Sequence, residues 1–231
     1  MYGLQKNLPE IKENIEKSAQ KIGRKTEDIT LVGVTKTISP NQIQEAFELG
    51  VRNFGENRVQ EFISKYENFD KNTDYTWHMI GHLQTNKVKF IIDKVKMIHS
   101  LDNVRLAEEI DKRAKQSDIK MDVLIEINIA NEDTKHGVSA QDARFFVEQI
   151  HHFSNISIKG LMCIAPIVEN AEQNRIYFEK MHRLSVDIQS QNMHNVDMCF
   201  LSMGMSQDYQ IAIEEGANII RIGSSLFGYN T

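Results

Sequence analysis

Lys36 stands directly after an apolar run, Leu31-Val32-Gly33-Val34, in the segment VTKT. A lysine carried by such a run to the edge of a low-dielectric site can give up its proton, and the neutral amine is the form that attacks an aldehyde to make a Schiff base. A solvated lysine is the commoner outcome at a strand end, so Lys36 needs supporting residues. Two segments offer them: SMGMS at 202–206 and IGSS at 222–225. Glycines let a backbone come close to a ligand, serines add hydroxyls, and the start of a following short helix favours negative charge. Each segment alone reads as an ordinary turn; the pair together, at the right strand ends, suits a phosphate. Arg221 lies between Ile220 and Ile222, so strand alternation turns it away from both, and burial there demands a partner. His78 and His82 have a metal-like spacing only on a helix, whereas WHMIGH reads as strand and loop, so no metal is expected from that pair. Glu56, Asn57 and Asn128 either orient a ligand or cap the next helix.

The elements that must position these residues alternate along the chain. Leu4, Leu8, Ile11, Ile15 and Ile22 recur near a 3.6-residue period and predict a leading helix that Gly23 stops. Eight short β-branched runs follow: Ile29–Val34, Val51–Phe54, Tyr75–Ile80, Lys96–His99, Met121–Ile129, Ile156–Ile164, Asp197–Leu201 and Asn218–Ile222. Between them, helices are predicted over Pro40–Leu49, Val59–Tyr66, Asn86–Ile92, Val104–Ser117, Ala140–Ile150, Ala171–Gln191 and Asp208–Glu215. Eight strands joined by right-handed crossovers close as a (β/α)8 TIM barrel, here with an extra N-terminal helix. An open doubly wound sheet would need a G-x-G-x-x-G turn after the first strand, and VTKTISP has no such glycines. In a barrel of this kind the reactive groups lie beyond the C-terminal strand ends, and the loops after strands seven and eight often bind phosphate. Those loops are SMGMS and IGSS. A lysine with a phosphate site equips a pyridoxal 5′-phosphate (PLP) protein or a Schiff-base aldolase acting on a phosphosugar, and the spacing does not separate the two.

The 231 residues, 41% of them hydrophobic and 26% charged, suit one globular domain over 1–231. A formal net charge of −5 argues against nucleic acid or anionic lipid as partner. The first residues carry charges throughout, and no stretch of about 18 apolar residues offers a membrane span. Cys163 and Cys199 sit in apolar runs without paired spacing and read as buried free thiols, which fits a cytoplasmic location.

The blocks LVGVTKT, FGENRVQE, WHMIGHLQTNK, IHSLD, GLMCIAP, LSMGMSQD and IRIGSSLFG, in order over residues 4 to 228, resemble those of the YggS/PROSC family of pyridoxal phosphate homeostasis proteins. That family is similar in fold to the barrel of alanine racemase and binds PLP without a well-defined catalytic reaction. The resemblance implies that Lys36 is the Schiff-base lysine, and that Ser202, Gly223 and Ser224, together with Met203 and Ser206, contact the phosphate. It also implies that Arg221 faces the pyridine nitrogen and that Asn57 belongs to the cofactor-binding set. Lys135-His136-Gly137 departs from the family's usual loop and bears on ligand access. The expectation is a monomeric carrier that serves PLP-dependent apoenzymes; the alternative is an amino-acid racemase or decarboxylase. Because the chain ends at Thr231, just past the eighth strand, without the racemase's second domain, little or no racemase activity is expected.

Overall fold

The computed structural model describes residues 3–69, 73–132 and 134–228. Helix α1 (Leu4–Lys21) buries Leu4, Leu8, Ile11 and Ile15 along one stripe, the spacing read from the sequence. Strand β1 (Thr30–Val34) pairs with β2 (Asn53–Glu56), and the parallel order continues through β3 (Thr76–Met79), β4 (Met97–Leu101) and β5 (Met121–Asn128). A two-residue strand, β6 (Val138–Ser139), pairs with the last residues of β5, Ile127 and Asn128, past the end of the β4 ladder. The ring itself goes on through β7 (Ile156–Cys163), β8 (Val196–Ser202) and β9 (Ile219–Ile222), which pairs back to β1. Eight parallel strands therefore close, as the alternation predicted, and the seventh and eighth expected strands are β8 and β9.

Helices α2 (Pro40–Glu48), α3 (Val59–Tyr66), α4 (Val104–Gln116), α5 (Ala143–Ile150), α6 (Arg175–Gln189) and α7 (Tyr209–Glu214) follow successive strands. Ser39 caps α2, its hydroxyl accepting from the Gln42 amide while Pro40 takes the first position. A last turn, α8 (Ser224–Phe227), follows β9 directly.

Four expectations need correction. The crossover from β3 to β4 is a six-residue 3₁₀ helix, Thr85–Phe90, because only Val88 of TNKVKF is buried and no apolar stripe exists to hold an α-helix. Strand β2 starts two residues late, because Val51 still belongs to the end of α2: its amide reaches back to Ala46 O at 3.0 Å across Gly50, which has φ +99°. The first turn expected of α6, Ala171–Asn174, is 3₁₀. Cys163 is buried but Cys199 is exposed, on the outward side of β8 beside an irregularity in its ladder to β7.

Two apolar layers result. The outer one, between strands and helices, holds Phe54, Phe62, Phe178, Ile98, Leu106 and many others. The inner one, inside the barrel, is small: Val32, Met97, Leu124, Met162 and Ile219, with Phe200 against them. Beyond it toward the C-terminal ends the interior turns polar, with His99, Glu126, Ser202 and Arg221 on the same faces of their strands.

Candidate functional site

β1 ends at Val34, and the next residue is held from two sides. The Thr35 hydroxyl donates to Glu56 Oε1 at 2.7 Å, and the Thr35 carbonyl accepts from Lys65 Nζ at 2.6 Å. Lys65 also pairs with Glu56, so a buried ion pair fixes the chain one residue before Lys36. One residue after it, Thr37 adopts φ +65°, a left-handed conformation uncommon for a β-branched residue. The Thr37 hydroxyl donates to Lys36 O at 2.6 Å. Anchored on both flanks, Lys36 is left exposed on the wall of a cavity of about 540 Å³ at the C-terminal barrel end.

Arg221 forms the buried base of that cavity, 4% exposed. Its Nη1 donates to Ser202 Oγ at 2.7 Å and its Nη2 to Cys163 O at 2.8 Å. Burial pushes the guanidinium pKa down from its ordinary value, opposed by Cys163, Glu126 and Asp208, and it remains a cation at neutral pH. The Cys163 thiol is pushed up to about 12 by burial, which makes it inert beside Arg221.

Behind Arg221 a chain of hydrogen bonds crosses the barrel. Ser202 Oγ lies 3.0 Å from His99 Nδ1, His99 Nε2 lies 3.0 Å from His78 Nδ1, and His78 Nε2 lies 3.1 Å from Asn53 Oδ1. Burial lowers the pKa of His78 to about 4 and that of His99 well below its ordinary value, so both rings are neutral at pH 7. Neutral rings fix the direction. Asn53 Oδ1 only accepts, so His78 donates from Nε2 and accepts at Nδ1; His99 then donates from Nε2 and accepts at Nδ1 from the Ser202 hydroxyl. Ser202 is thereby free to accept from Arg221, and every member is satisfied.

The rim is built from the loops after β8 and β9. They are stitched together: Ser225 N donates to Ser206 Oγ at 3.3 Å and Ser225 Oγ to Ser206 O at 3.3 Å. Gly204, at φ +91°, has no room for a side chain, since a Cβ would lie 2.5 Å from that of Ala212. Asp208 is buried; its Oδ1 accepts from Met205 N at 2.7 Å and its Oδ2 from Asn174 Nδ2 at 2.8 Å. Asn174, 1% exposed, also lines the cavity and ties the loop after β7 in place through Pro166 O. Asn174 and Asp208 were not among the expected site residues. The signal for Asp208 was its place directly after SMGMSQ; nothing in the sequence pointed to Asn174.

Of the expected residues, the fold brings Lys36, Ser206, Arg221, Gly223 and Ser224 to this one cavity. It puts Ser202 beneath Arg221, wholly buried, because strand alternation turns it into the barrel, and Met203 into the apolar core. Asn57 is outside the lining, packed against Gly81, with a buried Oδ1 that has no partner among the described residues. A cofactor with a phosphate fits what is present. A Cβ on Gly223 would intrude to 3.3 Å from that of Val34, so the glycine keeps backbone open toward the cavity beside the Ser224 and Ser206 hydroxyls. A hollow of about 660 Å³ at the other barrel end is larger, but it lies between α1 and the strand starts, with no comparable converging set.

Residues 7–231 match the alanine racemase N-terminal domain family. The chain is 46% identical to the pyridoxal phosphate homeostasis protein of Aquifex aeolicus, over 96% of each chain. It is 32% identical to that of Escherichia coli, over 99% of this chain and 97% of the other. Among solved structures it is similar to PipY of Synechococcus elongatus with PLP bound, at 32% identity and a TM-score of 0.81, covering 93% of this chain and all of that one. Alanine racemase of Clostridium difficile shares the fold alone, at 17% identity and a TM-score of 0.73, with the match covering 57% of that enzyme.

Proposed function

The chain belongs to the family of pyridoxal phosphate homeostasis proteins, and from that premise we propose that it holds PLP as a Schiff base on Lys36 and serves the cell's PLP balance. The observation that carries this reading is the convergence of Lys36, Arg221, Gly223, Ser224 and Ser206 on one cavity. The bound cofactor supplies an aldehyde carbon for an amine and an electron-withdrawing ring. The chain's own residues do the rest. Lys36, fixed by Thr35 and Thr37, presents its amine. The Gly223 backbone and the Ser224 and Ser206 hydroxyls hold the phosphate with neutral donors. Arg221, held by Ser202 and Cys163 O, faces the pyridine nitrogen as a hydrogen-bond donor and keeps its own proton, which disfavours racemase chemistry. Ser202 acts in this scheme through Arg221 and not on the phosphate.

The protein works as a monomer in the cytoplasm and passes PLP to apoenzymes. Two unpaired cysteines support a reducing compartment, and among the described residues no helix is long and apolar enough to cross a membrane. The test is an absorbance spectrum of the purified protein before and after borohydride reduction, with mapping of the modified peptide. The expected result is a bound chromophore that reduction fixes on Lys36, and its loss in Lys36→Ala with the fold retained. A reducible adduct on another lysine overturns the assignment. Incubation with L-alanine in D₂O separates the racemase or decarboxylase alternative, which requires turnover that Lys36→Ala abolishes.

A further inference from the structure

The cavity of Lys36 occupies the half of the barrel mouth formed by β1, β7, β8 and β9. The ends of β3, β4 and β5 make the other half, and they carry a separate cluster. His82, Asp102 and His136 each bring one potential ligand atom within 4.8 Å of the others. His82 Nδ1 lies 3.5 Å from Asp102 Oδ2, and the rings of His82 and His136 stack at 3.9 Å with planes 13° apart.

Each member is positioned by the fold. His82 follows Gly81, which packs so tightly on Asn57 that a Cβ would lie 2.3 Å from its carbonyl oxygen, and whose own carbonyl accepts from Ser100 Oγ at 2.7 Å. Asp102 is 9% exposed; its Oδ1 accepts from Asn103 Nδ2 at 2.6 Å, which leaves Oδ2 turned to His82. His136 sits in a loop pinned to the end of β5. Gly137, at φ +112°, lies so close that a Cβ would be 2.7 Å from Asn128 N, and Asn128 Nδ2 donates to Glu132 O at 2.8 Å. An ion pair with Asp102 would account for one imidazole, but not for the second ring stacked on it. A further observation comes from below the cluster. Glu126, on the inner face of β5 and 7% exposed, feels the charge of Asp102 and has a buried Oε2 with no partner among the described residues.

We propose that His82, Asp102 and His136 form a binding site for a divalent transition-metal ion of the zinc class, with an open coordination position at the barrel mouth. Two imidazoles and one carboxylate favour such an ion over magnesium or calcium, which take oxygen ligands. Zinc bonds of roughly 2.0–2.2 Å place tetrahedral ligand atoms about 3.3–3.6 Å apart. The His82 to Asp102 separation already has this value, and the exposed His136 ring closes the remaining gap by rotating. The site shares no residue with the Lys36 cavity and stands independently of the cofactor assignment.

The test is a calorimetric titration of the full chain with Zn²⁺ in a non-chelating buffer, with Co²⁺ absorption as a second probe of coordination. One equivalent of Zn²⁺ is expected to bind and to raise the melting temperature. His82→Asn and His136→Asn, both at exposed positions that leave folding intact, should each weaken binding at least tenfold and remove the tetrahedral cobalt spectrum. The double variant His152→Asn/His194→Asn, at exposed histidines elsewhere, should bind as the parent does. Lys36→Ala should also bind normally, which separates this site from metal captured by bound cofactor. No stoichiometric binding by the folded parent, or undiminished binding by His136→Asn, overturns the proposal.

Discussion

The outer and inner cores of the barrel are built on different terms. The outer layer, between strands and helices, is apolar wherever it is closed, and aromatic rings such as Phe54, Phe62 and Trp77 pack tilted or edge-on within it. The inner layer is apolar only at its base; toward the mouth it holds two neutral imidazoles, a serine and a guanidinium, each meeting the next by a hydrogen bond. Stability is concentrated in the first and the setting of the Arg221 guanidinium in the second. A buried polar chain is tolerable only when complete, because a half-satisfied one costs more than hydrocarbon of the same shape.

The largest effect should come from the outer layer. Phe54→Ala removes a fully buried ring and should cost about 3–5 kcal/mol in denaturant unfolding. The cofactor spectrum per folded molecule should stay unchanged; an altered spectrum would break the division between the layers. Next, His99→Leu leaves the Ser202 hydroxyl and His78 Nδ1 without their partner and should cost about 1–3 kcal/mol for each stranded group. The double variant His78→Leu/His99→Leu should cost less than the sum of the two single changes. Strict additivity in a double-mutant cycle would mean that the chain is not coupled.

The pH dependence sharpens the same contrast. His78 and His99 have depressed pKa values, so on acidification from the ordinary 6.5 the unfolded chain takes up two protons that the folded one refuses, and stability falls. Glu126 acts in the opposite sense: burial, with the charge of Asp102, raises it from 4.5 to about 7, so the folded chain gains one proton first. For these three groups the net is one proton, a slope of about 1.4 kcal/mol per pH unit between pH 6.5 and 4.5. Urea unfolding across that range checks it. The double variant, with only Glu126 left of the three, should invert the slope. The smallest effect lies at the rim: Ser206→Ala removes the acceptor for Ser225 N and should weaken PLP by about 0.5–1.5 kcal/mol. Unphosphorylated pyridoxal should be less affected, and equal weakening of both would remove the phosphate from this loop.

These layers differ also in how far the sequence reveals them. Helix α1, β5 and the closure of eight strands follow from periodicity, because the outer layer imposes one apolar face on each element. Lys36, Gly223 and Ser224 were legible as strand-end residues, since a barrel gives such positions a common destination. Ser202, which the resemblance sets at the phosphate, is turned inside the barrel, because one step of alternation decides between wall and interior. The histidine chain could not be read at all. His78, His99 and Ser202 sit on three strands, and their contact depends on the ring's closure and register. Asn174 was hidden for a similar reason, its role resting on Asp208, distant in sequence.

The hydrogen-bond chain also has a polarity. Arg221 can only donate and Asn53 Oδ1 only accept, so the hydrogens of Ser202, His99 and His78 all point toward the barrel's N-terminal end. Three aligned bond dipoles thus turn their negative ends to the guanidinium, a solvation shell made of protein. Arg221 keeps its charge in the interior with no carboxylate hydrogen-bonded to it among the described residues, and no single member can reverse without the whole row turning over.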